Sequence, residues 1–200
     1  MADILDWPTT LRPQGVEWRL QRFQAQNTSA FDGSLQTATL AAPRWAFTID
    51  TGRLRGAEVP VWEALIDRLD GSINRVRCWD WRREAPLGVA TGTPLVRVSA
   101  AGKTLATKGW TVSTAGILLR GSYIGVNGEL NRLVLDANSD ASGHATLTLA
   151  RPLRAAPAVD VPIVITKPTA KFYLTTADTA FRQDGARASG QSFTFQEDPQ

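Results

Sequence analysis

The sequence predicts a mainly β protein with one flanking α-helix and a small β-module inserted between its early and its closing strands. Three observations lead there: alternating segments at both ends of the chain, a single stretch with helical period over residues 58–70, and a middle region of short strands divided by glycine turns.

Residues 16–25, VEWRLQRFQA, set Val16, Trp18 and Leu20 against Glu17, Arg19 and Gln21, the two-residue period of a half-buried strand. A turn at Asp32-Gly33 precedes a second alternating segment, Trp45, Phe47 and Ile49, which ends at Asp50-Thr51-Gly52. The period then changes. In EVPVWEALIDRLD, Val61, Leu65 and Leu69 recur every fourth residue beside Trp62 and Ile66, and Gly71 follows as a stop, which predicts one amphipathic helix near 60–70. The next run, SINRVRCWDW, reads as a strand with Ile73, Val76 and Cys78 on one side and Arg75, Arg77, Trp79 and Trp81 on the other. Residues 86–96 form a Pro/Gly-rich connector. Short strands are predicted at 95–99, 104–112, 116–119, 130–135, 145–150 and 161–165, with turns at Ala101-Gly102, Asn127-Gly128 and Ser142-Gly143. Strands at 171–176 and 192–197 close the chain. The expected units are residues 1–90 with 166–200, and an inserted module over 91–165. Loops 27–43 and 177–191, rich in small and polar residues, are expected to order only in an assembly.

Composition narrows the function classes. The chain of 200 residues is 43% hydrophobic and 20% charged, an ordinary globular balance. No window approaches a membrane span, no basic-then-apolar leader opens it, and the expectation is a protein made in the cytosol without a membrane anchor. One cysteine and one histidine supply no disulfide and no metal or nucleophile–base cluster. The net charge of +3 is carried mostly by arginine, which favours interfaces over a phosphate-binding surface.

Candidate chemistry thins out on inspection. Cys78 has arginine neighbours but alternates with Val76 on the apolar side, so it reads as a buried thiol. His144 lies in a turn. Asp136, Asn138 and Asp140 lack the glutamate that a calcium loop needs. Gly121, Gly125 and Gly128 precede neither a Lys-Ser/Thr pair nor a helix and read as turn glycines. Glu63 and Asp67 read as a solvated helix face. No catalytic residue and no cofactor is expected. The arginine–tryptophan run remains: Arg75, Arg77, Trp79, Trp81 and Arg83, with Arg44, Trp45, Arg53 and Arg55, are the candidate interface residues. Two alternatives stay open: a single-stranded nucleic-acid platform using Arg77 and Trp79, or a sugar-binding surface with Trp110 and Tyr123 stacking on rings.

The order of segments adds a resemblance. A tryptophan strand VEWRLQRF, the run FDGSLQTATLAAPRWAF, the helix VWEALIDRLDGS, a strand running into P-L-G, the stretch LATKGWTVSTAGILLRGSYIGVNGELNRLVLDANSDASGHATLTLARPLRAAP and the terminal SFTFQEDP follow one another. In this order, over essentially the whole chain, the sequence resembles the distal tail proteins of long-tailed siphophages of Gram-negative hosts. Larger members append a C-terminal sugar-binding-like domain, for which this chain is expected to leave no room. The resemblance implies a tail-tube-like β-sandwich or split barrel, with an OB-like barrel inserted. It also implies six copies closing a ring in the virion, between the last ring of tail-tube protein and the baseplate hub, with DNA passing through the bore.

Overall fold

The computed structural model describes residues 2–176, 183–184, 187–188 and 190–199. In chain order it runs β1 (Ile4–Asp6), β2 (Gly15–Thr28), β3 (Leu35–Asp50), β4 (Leu54–Arg55), α1 (Val59–Leu69), β5 (Arg75–Cys78), β6 (Gly92–Val96) and β7 (Thr104–Trp110). It continues through β8 (Tyr123–Val126), β9 (Glu129–Arg132), β10 (Ala145–Thr148), β11 (Ala170–Leu174), β12 (Gln183–Asp184), β13 (Arg187–Ala188) and β14 (Ser192–Glu197). The protein is mainly β with one helix, as its alternating segments require. Two compact units divide it: Met1–Cys78 with Lys171–Gln200, and Trp79–Ala170. Most of the 177–191 stretch lies outside the described residues.

The first unit is built on a six-stranded sheet in the order β1-β5-β11-β14-β3-β2. Alternation gives it one dry and one wet face. On the dry face Phe47 stacks on Trp18 at 4.7 Å and on Phe195 at 4.8 Å, and the α1 residue Trp62 stacks on Phe193 at 6.3 Å. The helix buries Val59, Trp62, Leu65, Ile66 and Leu69, spaced to make one stripe. Val61, expected in that stripe, is exposed: the helix starts at Val59, and its phase turns Val61 outward. Pro60 sits in the first turn, where its missing N–H is harmless, and Asp70 ends the helix in the left-handed region (φ 48°) before Gly71. Cys78 is fully buried on β5, and burial holds its thiol well above the usual range.

The wet face carries a polar lattice. Thr48 and Thr194 hydroxyls meet at 3.1 Å, and the Tyr173 hydroxyl donates to Gln196 at 2.5 Å.

The pairing of β2 with β3 overturns one expectation. Residues 27–43 do not form a loop: β2 and β3 stay paired from Gly15↔Asp50 to Thr28↔Leu35, with irregularities around Phe23. Beyond that bulge the two strands leave the sheet as an arm. Two-residue alternation does not reveal it, because the arm buries neither face and so shows no apolar–polar period.

The second unit closes on itself. β10, β7 and β6 make one sheet and β8 with β9 a hairpin, whose Asn127 and Gly128 both take positive φ (50° and 76°), as a type I′ turn requires. Two further seams join them. Residues 161–164 bridge β6 (Ile163 N–H to Pro94 C=O, 2.9 Å) to β8 (Gly125 N–H to Val164 C=O, 2.8 Å). On the other side Ala150 N–H donates to Arg132 C=O at 2.8 Å and Val134 N–H to Thr148 C=O at 3.0 Å. The strands thus form a small barrel filled by Val96, Leu105, Trp110, Ile124, Leu133, Leu147 and their neighbours. The predicted strands at 116–119 and 161–165 survive only as single bridges, Leu118↔Ala137, Leu95↔Pro162 and Gly125↔Val164. Strand β8 was not predicted, because all four of its residues are buried and it has no alternation to read.

Candidate functional site

The arm is the feature of the first unit that its own core does not explain. Gln24↔Thr39, Ala25↔Ala38, Gln26↔Thr37, Asn27↔Gln36 and Thr28↔Leu35 pair along it, and of residues 24–40 all but the half-buried Ser29 are exposed. Its tip is held by Ser29 N–H to Ser34 C=O (2.9 Å) and Gly33 N–H to Ser29 C=O (3.1 Å). The Asp32 carboxylate accepts the Ser34 N–H at 3.0 Å, and this bond together with the Ser29 and Ser34 hydroxyls lowers its pKa from 3.8 to about 2. Phe31 stands wholly in solvent, with Leu35 and Leu40 exposed along the shaft. Between residues 24 and 42 the single charge is Asp32.

Along its whole length β2 is also the outermost strand of the sheet. Its free edge therefore offers a row of backbone donors and acceptors with no strand beside them among the described residues. Arginines gather where the arm leaves the sheet: Arg19 and Arg44 near the bulge, Arg22 within it, and the Arg44 guanidinium 5.8 Å from the Phe23 ring centre. In the sequence only the turn at Asp32-Gly33 signals the arm.

The predicted interface residues fall in different places. Trp45 has no exposed surface; it lies on the dry face at 6.4 Å from Trp18 and has nothing to offer a partner. Arg44 is half-buried, while Arg53 and Arg55 are exposed. The expected continuous face over residues 75–83 does not form. Strand β5 ends at Cys78, and Asp80, nearly fully buried, draws the chain into a turn in which Arg83 N–H donates to Asp80 C=O at 2.9 Å. Burial alone would raise the Asp80 pKa, but two bonds from the Arg82 guanidinium, 2.9 and 2.8 Å, outweigh it and the net shift is downward.

Arg75 and Arg77 therefore remain on the wet face of the first unit, tied to Asp198 at 2.6 Å and Asp6 at 2.9 Å. Trp79, Trp81 and Arg83 belong to the second unit. Trp79 is flanked by Trp81 at 5.8 Å and by the Lys167 ammonium at 5.1 Å, and Arg83 donates to Gly121 C=O at 2.8 Å. These side chains are spent on internal bonds, which leaves little of the expected stacking platform. Trp110 and Tyr123, the rings considered for sugar stacking, are buried.

The aspartates of the turn region are likewise occupied. Asp136 pairs with Arg120 at 2.8 Å, the Asn138 carbonyl accepts Gly116 N–H at 2.7 Å, and Asp140 accepts Ser142 and His144 N–H at 2.8 and 2.9 Å. Among the described residues no group of three or more His, Cys, Asp and Glu side chains is placed to hold a metal ion. No helix of the described residues is long and apolar enough to cross a membrane. Neither a comparison with protein-family models nor one with curated proteins finds a match to this chain.

Proposed function

We propose that the protein is a structural ring component of a bacteriophage tail tip, joining the end of the tail tube to the baseplate hub around a bore that passes DNA. The observation that carries this reading is the arm with its open β2 edge. A two-stranded ribbon standing alone is marginal in water, and a long unpaired edge invites pairing. A second copy that covers the arm and extends the sheet from β2 relieves both.

Because β2 and β1 lie at opposite edges of the sheet, a contact between them joins two different surfaces, and head-to-tail contacts of that kind close into a ring when the rotation from copy to copy divides a full turn. Six copies, and the tail-tube and hub partners, come from the resemblance in segment order. The absence of any cation from residues 24–42 suits an arm facing DNA, since tight phosphate binding slows passage.

Light scattering over a concentration series at low and moderate salt tests the reading. A six-subunit particle is the expected result. A monomer at every concentration that also fails to enter tails in a complementation assay overturns it.

A further inference from the structure

On the barrel, residues 87–89 lie beside residues 116–119: Leu119 N–H donates to Leu87 C=O at 2.9 Å and Val89 N–H to Gly116 C=O at 3.0 Å. Leu87, Val89 and Leu119 are exposed there, an apolar group that the barrel's own core does not use. Two glycines keep the ground around them low. A methyl group on Gly116 would meet the Leu119 side chain at 3.4 Å, and one on Gly121 would meet the Leu87 side chain at 3.9 Å and the Arg83 guanidinium at 3.0 Å. Nearby charges are neutralised within the unit: Asp80 by Arg82, Glu84 by Lys167 and Asp136 by Arg120. Arg83 differs. Its guanidinium is fixed by Gly121 C=O at 2.8 Å, and among the described residues it forms no ion pair.

The tip of the arm has the opposite character. Phe31 stands wholly in solvent, and Asp32 beside it is the one charge between residues 24 and 42. Five paired residues beyond the bulge, at about 3.4 Å each, carry that tip roughly 17 Å from the sheet.

We propose that the arm tip of one copy docks on this barrel patch of a second copy, the Phe31 ring lying against Leu87, Val89 and Leu119 and the Asp32 carboxylate meeting the Arg83 guanidinium. An aromatic anchor on an apolar patch, beside one fixed and opposite charge, supplies both affinity and register. Once internal ion pairs are set aside, tip and patch carry one charge each, of opposite sign. A single cation is too little for a nucleic-acid backbone. Tip and patch are different surfaces and every copy offers both, so the contact is head-to-tail. The inference rests on the reading of the arm as the contact between copies and names where its tip ends.

Cross-linking between two singly substituted proteins tests it. Ala30→Cys at the tip and Ala115→Cys beside Gly116 change exposed positions and keep the contact residues, while Cys78 is fully buried and does not react. With a short thiol-to-thiol linker, a dimer holding one copy of each variant is expected, formed about ten-fold faster than with Ala101→Cys, an exposed turn position outside the patch. Arg83→Glu is expected to weaken self-association roughly ten-fold, and adding Asp32→Lys to the same chain to restore it. A particle of several subunits that lacks this cross-link, or whose association is untouched by Arg83→Glu, overturns the docking and leaves the ring reading standing. The cross-link with its charge-swap rescue, in a particle other than a six-subunit ring, supports the docking and removes the ring. A monomer without the cross-link at every concentration overturns the docking.

Discussion

With Trp45 fully enclosed between strands and its ring 6.4 Å from that of Trp18, truncation to alanine leaves a void that neighbours fill only in part. Trp45→Ala is expected to cost about 3–5 kcal/mol of stability in a urea titration; a loss under about 1 kcal/mol would contradict this packing. The alternation that predicts the strand also sets Trp45 with Phe47 and Ile49 on the core face, so its burial was legible. The preference of interfaces for an Arg-Trp pair pulled the other way, and local pattern is the stronger guide. A second test concerns charge. The bonds from Arg120 lower the Asp136 pKa from 3.8 to about 2, so this pair stabilises the fold above the ordinary carboxylate value. That contribution fades as the pH falls through about 2, where the folded form also protonates. Asp136→Asn is therefore expected to unfold at a lower temperature than the parent at neutral pH, with the two midpoints converging towards pH 2. Both groups are exposed, so added salt narrows the gap.

Helix α1 and the arm differ in how far sequence reveals them. The helix announces itself because its apolar stripe is spaced for one buried face, and only its phase at Val61 differs from expectation. The arm has no buried face, and its Gln, Thr and Ala ladder resembles a loop. Strand β8 hides for the opposite reason, since it is buried on both sides. The arm also yields the clearest element-level expectation. Replacing residues 24–39 by a short turn removes no buried residue, so the thermal midpoint of the isolated subunit is expected to move by less than roughly 4 °C. Self-association in the same variant is expected to disappear. Retention of the parent's oligomeric state would show that the arm is not the contact.

At the scale of the whole molecule, the change from alternating segments at both ends to short strands divided by glycine turns in the middle marks two units. The limits of those units were harder to place: the division comes at Cys78/Trp79 and Ala170/Lys171, whereas the Pro/Gly connector at 86–96 points further along the chain. The physical marker is Asp80, a buried carboxylate whose turn separates strand β5 from the barrel segment, and no composition rule reports it. Barrel closure was legible only as a count of short strands, since single bridges at Pro162 and Val164 leave almost no periodic trace. Because its seams are complete and its interior filled, residues 79–170 expressed alone are expected to give a dispersed amide spectrum and a cooperative melt; a collapsed spectrum would mean the barrel borrows stability from the rest of the chain. Both ends of this segment are fastened together, Lys167 N–H donating to Glu84 C=O at 2.7 Å and the two side chains meeting at 3.4 Å. Such a junction works like a socket: a foreign domain whose own termini lie close can be spliced between these two residues, giving a fixed point for mounting a reporter or an exchangeable binding head without cutting a strand of the six-stranded sheet.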